Sequence, residues 1–176
     1  TLESGTAVSS GLFNAIKESR LAIVVLSPNY ASSSLCLDEL TEILQCMKSK
    51  GTILPVFYHV EPSDVRKQSG SFADVFAKLE ERFREDIERV KSWRAALTEV
   101  ASLSGLDSKN ESERKLIEYI VEWAWEKVGM KATSEKWIFL LISLCLEILS
   151  IACDQASSPR NPHYALFGMM LAIAAV

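Results

Sequence analysis

The chain has 176 residues, 48% of them hydrophobic and 24% charged, which suits one globular domain with an appendage and excludes a disordered or fibrous protein. The formal net charge is −4, and without a stripe of Lys and Arg there is no electrostatic support for nucleic-acid binding. The 4 cysteines include no CxxC pair and the 2 histidines lie far apart, so we expect neither a metal site nor a disulfide framework.

The first half of the chain alternates between predicted helices and buried strands. Ser9 or Ser10 can cap a short helix, and the continuous apolar run Leu21–Leu26 predicts a strand covered on both faces. A serine-rich turn and a second helix follow. The apolar face of that helix consists of Leu37, Leu40, Ile43, Leu44 and Met47. The run Ile53–Tyr58 predicts a second buried strand, in which Pro55 is awkward because a central strand needs that N–H.

The middle of the chain is predicted to be a polar loop followed by helix. The loop covers residues 60–70, and apolar residues then keep helical spacing from Phe72 to Val100. Within this stretch, the charged segment Arg82–Arg89 is predicted to be a solvated helix face whose charges pair with one another.

The last elements of the globular part complete an α/β pattern. Leu103–Leu106 predicts a short strand, and Asn110 with Glu113 predicts a capping box for a final helix. Alternating helices and strands favour a parallel sheet with flanking helices. The sheet is thin for so many helices, so we expect the chain to be a fragment without its N-terminal strands. Leu21–Leu26 should then have an unpaired edge.

Residues 137–176 differ from everything before them. Their charged side chains are Glu147, Asp154 and Arg160. Trp137–Cys153 is 17 residues with one charge, which favours a membrane span, and Tyr164–Val176 favours the start of a second. The alternative is a core helix or helical hairpin packed on the domain, and the carboxylate of Glu147 counts against a span. More positive charge precedes the first span than follows it, which predicts a cytoplasmic globular part.

One carboxylate stands apart on helical geometry. At about 100° per residue, Glu39 lies on the border of the apolar stripe, whereas Asp38 and Glu42 lie on the opposite side of their helix. Glu39 also lies near the helix start, close to the carboxyl end of the Leu21–Leu26 strand, where clefts form in open α/β sheets. From geometry alone, an ordinary boundary glutamate remains the stronger interpretation. No P-loop, GxGxxG, HExxH or GxSxG motif is present, and His59 is an isolated histidine.

Three long segments resemble the signature motifs of plant TIR (Toll/interleukin-1 receptor) domains. They are Ala22–Leu40, Leu54–Phe72 and Trp93–Gly105. The resemblance extends over residues 2–128 and implies a flavodoxin-like parallel sheet with flanking helices, here without its first strands. We therefore predict a TIR domain over residues 1–128, a linker over 129–136 and a hydrophobic tail of apolar helices over 137–176.

The resemblance also implies an activity. Plant TIR domains self-associate with other TIR domains, and many cleave NAD⁺ with the glutamate of the Cys-Leu-Asp-Glu-Leu motif, which is Glu39 here. A fixed carboxylate suits this reaction, because breaking the nicotinamide–ribose bond develops positive charge on the ribose. NAD⁺ is then the substrate, and no further cofactor is implied. The NAD⁺ cleft would include Ser27, Tyr30, Leu35 and Cys36.

Two positions depart from the family pattern. Leu35 stands where the plant motif usually has Trp, and His59 stands where it usually has Asp. The N-terminal segment that normally contacts NAD⁺ is also expected to be missing. The sequence therefore predicts a membrane-anchored TIR protein of plant innate immunity that hydrolyses NAD⁺, with a non-catalytic TIR–TIR interaction module as the alternative.

Overall fold

The computed structural model describes residues 13–128 and 170–173. The helices are α1 (described over residues 13–18), α2 (Ser34–Met47), α3 (Pro62–Lys67), α4 (Ser71–Arg82), α5 (Ile87–Val100) and α6 (Glu113–Val128). The strands are β1 (Leu21–Leu26), β2 (Ile53–Phe57), β3 (Leu106–Asp107) and β4 (Met170–Ile173). Short 3₁₀ turns cover Tyr30–Ser32, Lys48–Lys50, Arg84–Asp86 and Ser108–Asn110.

The sheet has the order β3-β2-β1-β4, in which β1, β2 and β3 run parallel. Every residue of β1 and β2 is buried, because helices cover both faces of the sheet. Successive β1 side chains alternate between the two cores: Ala22, Val24 and Leu26 join the core formed with α2, α4 and α5. Leu21, Ile23 and Val25 join the core formed with α6. This two-sided burial confirms the predicted strands and the α/β class.

Pro55 fits a central strand because of the direction in which its nitrogen points. The Tyr58 N–H donates to the Leu26 carbonyl of β1 at 2.8 Å, and alternate residues along a strand direct their N–H groups to opposite neighbours. The Pro55 nitrogen therefore points to the β3 side. There, β3 pairs only with Val56 and Phe57, so no ladder hydrogen bond is lost.

The predicted polar loop and the long helix after it are both interrupted by unpredicted structure. Residues 60–70 contain α3, which begins with a proline at its first turn and buries a single apolar side chain, Val65; one apolar residue produces no periodicity. The helical stretch from Phe72 to Val100 is two helices, because α4 ends at Arg82, with Phe83 as its C-cap, and the turn Arg84–Asp86 precedes α5.

The elements near the end of the globular part are shifted from their predicted positions. The last parallel strand begins at Leu106, so the predicted start at 103 is wrong. The predicted capping box is also wrong: the Ser112 hydroxyl accepts from the Lys115 N–H at 3.4 Å. The Glu113 carboxylate instead accepts from the Tyr58 hydroxyl at 2.6 Å, because α6 starts beside the carboxyl end of β2.

The C-terminal segment adds an unpredicted strand. Met170–Ile173 pairs antiparallel with β1, with Leu21 opposite Ile173 and Val24 opposite Met170. The predicted apolar helix is therefore wrong at these residues, and so is the predicted unpaired edge of β1. An apolar run of this length satisfies both a strand and a helix pattern, which periodicity alone does not separate.

The remaining predictions for the two ends of the chain fall outside the described residues. Within residues 13–128 and 170–173, no helix combines the length and the apolar composition needed to cross a membrane. The linker over 129–136, the span over 137–153 and the missing N-terminal strands stay predictions.

Candidate active site

The first turn of α2 is held by hydrogen bonds from the segment that precedes it. The Ser33 hydroxyl accepts from the Cys36 N–H at 3.3 Å and caps the helix. The buried Tyr30 hydroxyl donates to the Cys36 carbonyl at 3.1 Å. Both contacts arise directly after β1, so the helix start is fixed at the carboxyl end of that strand.

Glu39 lies in the second turn of this helix and is only 6% exposed. Burial, and secondly the negative charge of Asp38, raise the pKa of Glu39 to about 7. Within the described part of the chain, its carboxylate has no hydrogen-bond or ion-pair partner. Glu39 in turn raises the already elevated pKa of the buried Tyr30, after burial itself and Cys36. A buried acid that titrates near neutrality is an arrangement typical of functional sites.

The helical wheel places Asp38 on the side of α2 opposite the apolar stripe, a position typical of a solvated residue. In the structure, Asp38 is instead paired with side chains of α5. Its carboxylate accepts from Arg89 Nε at 3.1 Å and Nη2 at 2.5 Å, and from Trp93 Nε1 at 2.9 Å. The prediction that Arg82–Arg89 pairs only within itself is therefore wrong at Arg89. Both errors have one cause, because α5 packs against α2 and a helical wheel contains no information about the neighbouring helix.

The structure brings together some of the predicted cleft residues. Tyr30, Cys36 and Glu39 are buried, and Tyr30 interacts with both of the others. Ser27 and Leu35 are half-buried. Within the described residues, the Ser27 hydroxyl has no hydrogen-bond partner. The Ser27 carbonyl accepts from the Tyr30 N–H at 3.0 Å and closes the turn after β1.

His59 belongs to a different environment at the end of β2. Its backbone has φ of 54°, a left-handed conformation that non-glycine residues seldom adopt. Its N–H donates to the Ser108 hydroxyl at 2.9 Å, and its exposed ring contacts Tyr58 edge-on at 4.3 Å between centroids.

Sequence reasoning missed Arg89 and Trp93. Trp93 keeps the helical spacing of core residues, and nothing in that spacing identifies the acceptor of its indole N–H. Its 1% exposure nevertheless requires an acceptor. Arg89 is hidden in a charged run, where its partner 51 positions away in sequence is not recognisable.

Two other features of the described residues lie apart from Glu39. An open groove of about 640 Å³ lies between the second half of α2 and α5, lined by residues that include Thr41, Lys48 and Glu99 but not Glu39. No group of three or more His, Cys, Asp and Glu residues within the described ranges is arranged to hold a metal ion.

The parallel strands β1 to β3, with helices on both faces of the sheet, define an α/β domain. The TIR domain family model matches residues 1–140, and the chain belongs to this family. The buried Glu39 occupies the glutamate position of the plant TIR motif described above.

Several of the similar proteins are plant disease resistance proteins. Disease resistance protein RPV1 of Vitis rotundifolia is 50% identical over 117 residues, which is 64% of this chain and 8% of that protein. TMV resistance protein N of Nicotiana glutinosa is 43% identical over 123 residues, which is 69% of this chain and 11% of that protein. The chain thus spans about a tenth of the length of these relatives.

A solved structure has the same fold. The TIR domains of the activated Roq1 resistosome, which directly recognises the pathogen effector XopQ, superimpose with a TM-score of 0.61 at 46% identity. The match covers 69% of this chain and 75% of the Roq1 chain.

Proposed function

We propose that this TIR domain acts in plant innate immune signalling by self-associating and cleaving NAD⁺ to nicotinamide and ADP-ribose products, with Glu39 as the catalytic residue. One observation carries the proposal: a carboxylate 6% exposed, with a pKa raised to about 7, lies beyond the carboxyl end of a central strand. Such a group costs folding free energy, which favours a functional role.

The chemistry requires Glu39 in its ionised form. Cleavage of the nicotinamide–ribose bond transfers the bonding electrons to nicotinamide and leaves positive charge on the ribose, which a carboxylate in a low-dielectric site stabilises strongly. The same carboxylate can accept hydrogen bonds from the ribose hydroxyls. Water then forms the new bond to the ribose and releases its proton, which gives ADP-ribose.

The proposed cleft residues divide into two kinds. Tyr30 and Cys36 are buried and would form the inner wall, whereas the half-buried Ser27 and Leu35 would contact the substrate from the rim. Residues 21–39 contain no Lys or Arg for the pyrophosphate of NAD⁺, which needs basic or backbone N–H donors. We propose that these donors come from the N-terminal segment that the resemblance implies is missing here, or from a neighbouring copy.

The test is nicotinamide release from NAD⁺ by the full chain and its Glu39→Ala and Glu39→Gln variants. We expect turnover to fall by a factor of about 100 or more in both variants, on the scale of lost electrostatic stabilisation in a transition state. Glu42→Gln is the matched control, because Glu42 lies on the same helix and pairs with Lys17 at 3.3 Å. Unchanged turnover in a folded Glu39 variant would exclude the assignment.

The second candidate function is a non-catalytic TIR–TIR interaction module. Two observations favour it: the likeness to TIR domains of a resistosome, and Leu35, which removes an aromatic surface from the proposed cleft. Analytical ultracentrifugation of the full chain and Glu39→Gln would separate the two functions. Self-association in both, with no nicotinamide release from either at any concentration, would support the module.

The location of the protein is a separate proposal. We propose a cytoplasmic TIR domain attached to a membrane through residues 137–153, on the sequence pattern alone. The sequon Asn110-Glu-Ser112 provides a test, because a cytoplasmic domain leaves Asn110 unglycosylated. Release of the protein from membranes by alkaline carbonate would contradict the attachment, and a glycan on Asn110 would contradict the orientation.

A further inference from the structure

The carboxylate next to Glu39 in sequence is held by three hydrogen bonds from two side chains. Asp38 accepts two hydrogen bonds from the Arg89 guanidinium, at 3.1 and 2.5 Å, and one from Trp93 Nε1 at 2.9 Å. Its side chain is only 23% exposed. A bidentate Arg–carboxylate pair with a third donor fixes both the position and the plane of the carboxylate.

The Arg89 guanidinium packs against two aromatic rings. Its guanidinium carbon lies 5.1 Å from the centroid of the Trp93 ring and 5.3 Å from that of Phe83. The two rings meet edge to face, with centroids 5.1 Å apart and an interplanar angle of 89°. The guanidinium therefore has little freedom to leave Asp38, and it adds cation–π attraction to the ion pair. Its pKa is raised, chiefly by the hydrogen bond to Asp38.

These contacts act on α2 at one residue before Glu39. Tyr30 and Ser33 hold the helix from the N-terminal side through Cys36, and the α5 residues hold it through Asp38. Glu39 follows this anchored turn directly, so its backbone direction is set from both sides. The Arg89 charge also offsets the negative charge of Asp38, which otherwise acts on the Glu39 carboxyl.

We propose that Asp38, Arg89 and Trp93 are positioning residues for Glu39: they fix the start of α2 against α5 and neutralise the carboxylate adjacent to the catalytic one. The proposal rests on the function proposed for Glu39. It assigns a role in the reaction to residues of α5 that do not line the cleft.

The other charges around α2 lie farther along the helix or act through different residues. Tyr30, from the turn before α2, is coupled to Glu39. Lys17 of α1 pairs with Glu42, and Glu99 of α5 pairs with Lys48 beyond the C-terminal end of α2. The two strands packed against α2, LAIVVL and ILPVF, carry no ionisable side chain.

The test compares the pH dependence of nicotinamide release in charge variants of the full chain. Asp38→Asn removes a negative charge and leaves Arg89 positive, so the midpoint of the profile moves to lower pH. Arg89→Met leaves Asp38 uncompensated, so the midpoint moves to higher pH. Each shift should be about one pH unit, as expected for a nearby charge. The double variant should return close to the wild-type midpoint.

Two conservative variants separate charge from geometry. Arg89→Lys keeps the charge but loses the bidentate fork, so it should retain the wild-type midpoint while kcat falls. Trp93→Phe keeps an aromatic side chain but loses the indole N–H, so we expect an unchanged midpoint, a lower kcat and an unchanged KM. A loss of kcat with no movement of the midpoint in either Asp38→Asn or Arg89→Met would reduce the cluster to a structural contact and overturn the proposal. Shifts of both midpoints in one direction would also overturn it.

A second readout keeps this proposal distinct from the proposed function. NMR titration of the ¹³C-labelled Glu39 carboxyl measures the same midpoints without turnover, in the wild type and in the Asp38→Asn and Arg89→Met variants. Opposite shifts in a protein that releases no nicotinamide would refute the NAD⁺ activity while upholding the coupling of the cluster to Glu39. Nicotinamide release with Glu39 titrations that do not shift in the variants would uphold the NAD⁺ activity and refute the coupling of the cluster to Glu39.

Discussion

The carboxyl ends of β1 and β2 are neighbours in the sheet, yet the acidic groups beyond them have opposite environments. Beyond β1, Glu39 is buried, and its carboxylate has no hydrogen-bond or ion-pair partner among residues 13–128 and 170–173. Beyond β2, the Glu113 carboxylate accepts from the Tyr58 hydroxyl at 2.6 Å, and Glu61 forms an ion pair with Lys109.

This difference separates a group that costs stability from groups that contribute to it. A paired acid at the end of β2 holds α6 and the following turn to the sheet. A buried acid without a partner is destabilising in its charged form, so its presence beyond β1 argues for a use other than folding.

The largest effect should come from neutralising Glu39. Its pKa rises from the ordinary value of 4.5 to about 7 on folding, so the folded state holds the proton more tightly than the unfolded one. The contribution of Glu39 to the free energy of unfolding is therefore fully present below pH 4.5, and it is lost as the pH rises to about 7. Glu39→Gln should therefore raise the free energy of unfolding by up to about 3 kcal/mol at pH 8 and by little at pH 4. Urea denaturation at both pH values measures this; an equal gain at both would contradict it.

The pH dependence of the reaction should follow the same group. If the ionised Glu39 is the active form, nicotinamide release should increase about tenfold between pH 6 and pH 8, as its pKa of about 7 requires. The carboxylates at the end of β2 should have no part in this profile. Glu113→Gln is the control, and a flat profile for the wild type would contradict the role of Glu39.

At the end of β2, Tyr58→Phe should reduce stability without changing activity. The substitution removes the hydroxyl that donates to Glu113 and keeps the ring, which is 2% exposed. We expect a loss of about 1 kcal/mol in the free energy of unfolding, the usual net contribution of an intramolecular hydrogen bond. Thermal denaturation and nicotinamide release measure the two properties. A variant that loses turnover at unchanged stability would show that the two ends are not separate.

The smallest effect should come from His59. Its φ of 54° is strained for a residue with a β-carbon, and glycine relieves that strain. We expect His59→Gly to gain about 0.5 kcal/mol or slightly more in the free energy of unfolding, with turnover unchanged. His59→Ala is the matched control, because alanine keeps the β-carbon and should show no gain.

The strands that are buried on both faces of the sheet could be predicted from the sequence. The runs Leu21–Leu26 and Ile53–Phe57 are continuous because helices cover both faces of the sheet, and continuous runs are readable without any partner. The position of Glu39 at the edge of an apolar stripe was also readable, because the helix repeat determines it.

The contacts that complete the candidate site depend on tertiary packing. The pairing of Asp38 with Arg89 joins positions 51 apart in sequence, and either residue alone is typical of a solvated surface. α3 has a single buried side chain, Val65, which produces no period. Met170–Ile173 is an apolar run that suits either a strand or a helix until its neighbour is known.

The pairing of β1 with β4 has a consequence for the order in which the strands pair during synthesis. Leu21 pairs with Ile173, whereas Ala22 pairs with Ile53, so the β1–β2 contact closes a far shorter loop and should form first. During synthesis, β1, β2 and β3 can assemble while Met170–Ile173 is still inside the ribosome. Until Met170–Ile173 pairs with β1, that strand lacks the ladder hydrogen bonds of this pairing, and an unpaired strand edge favours association with other chains.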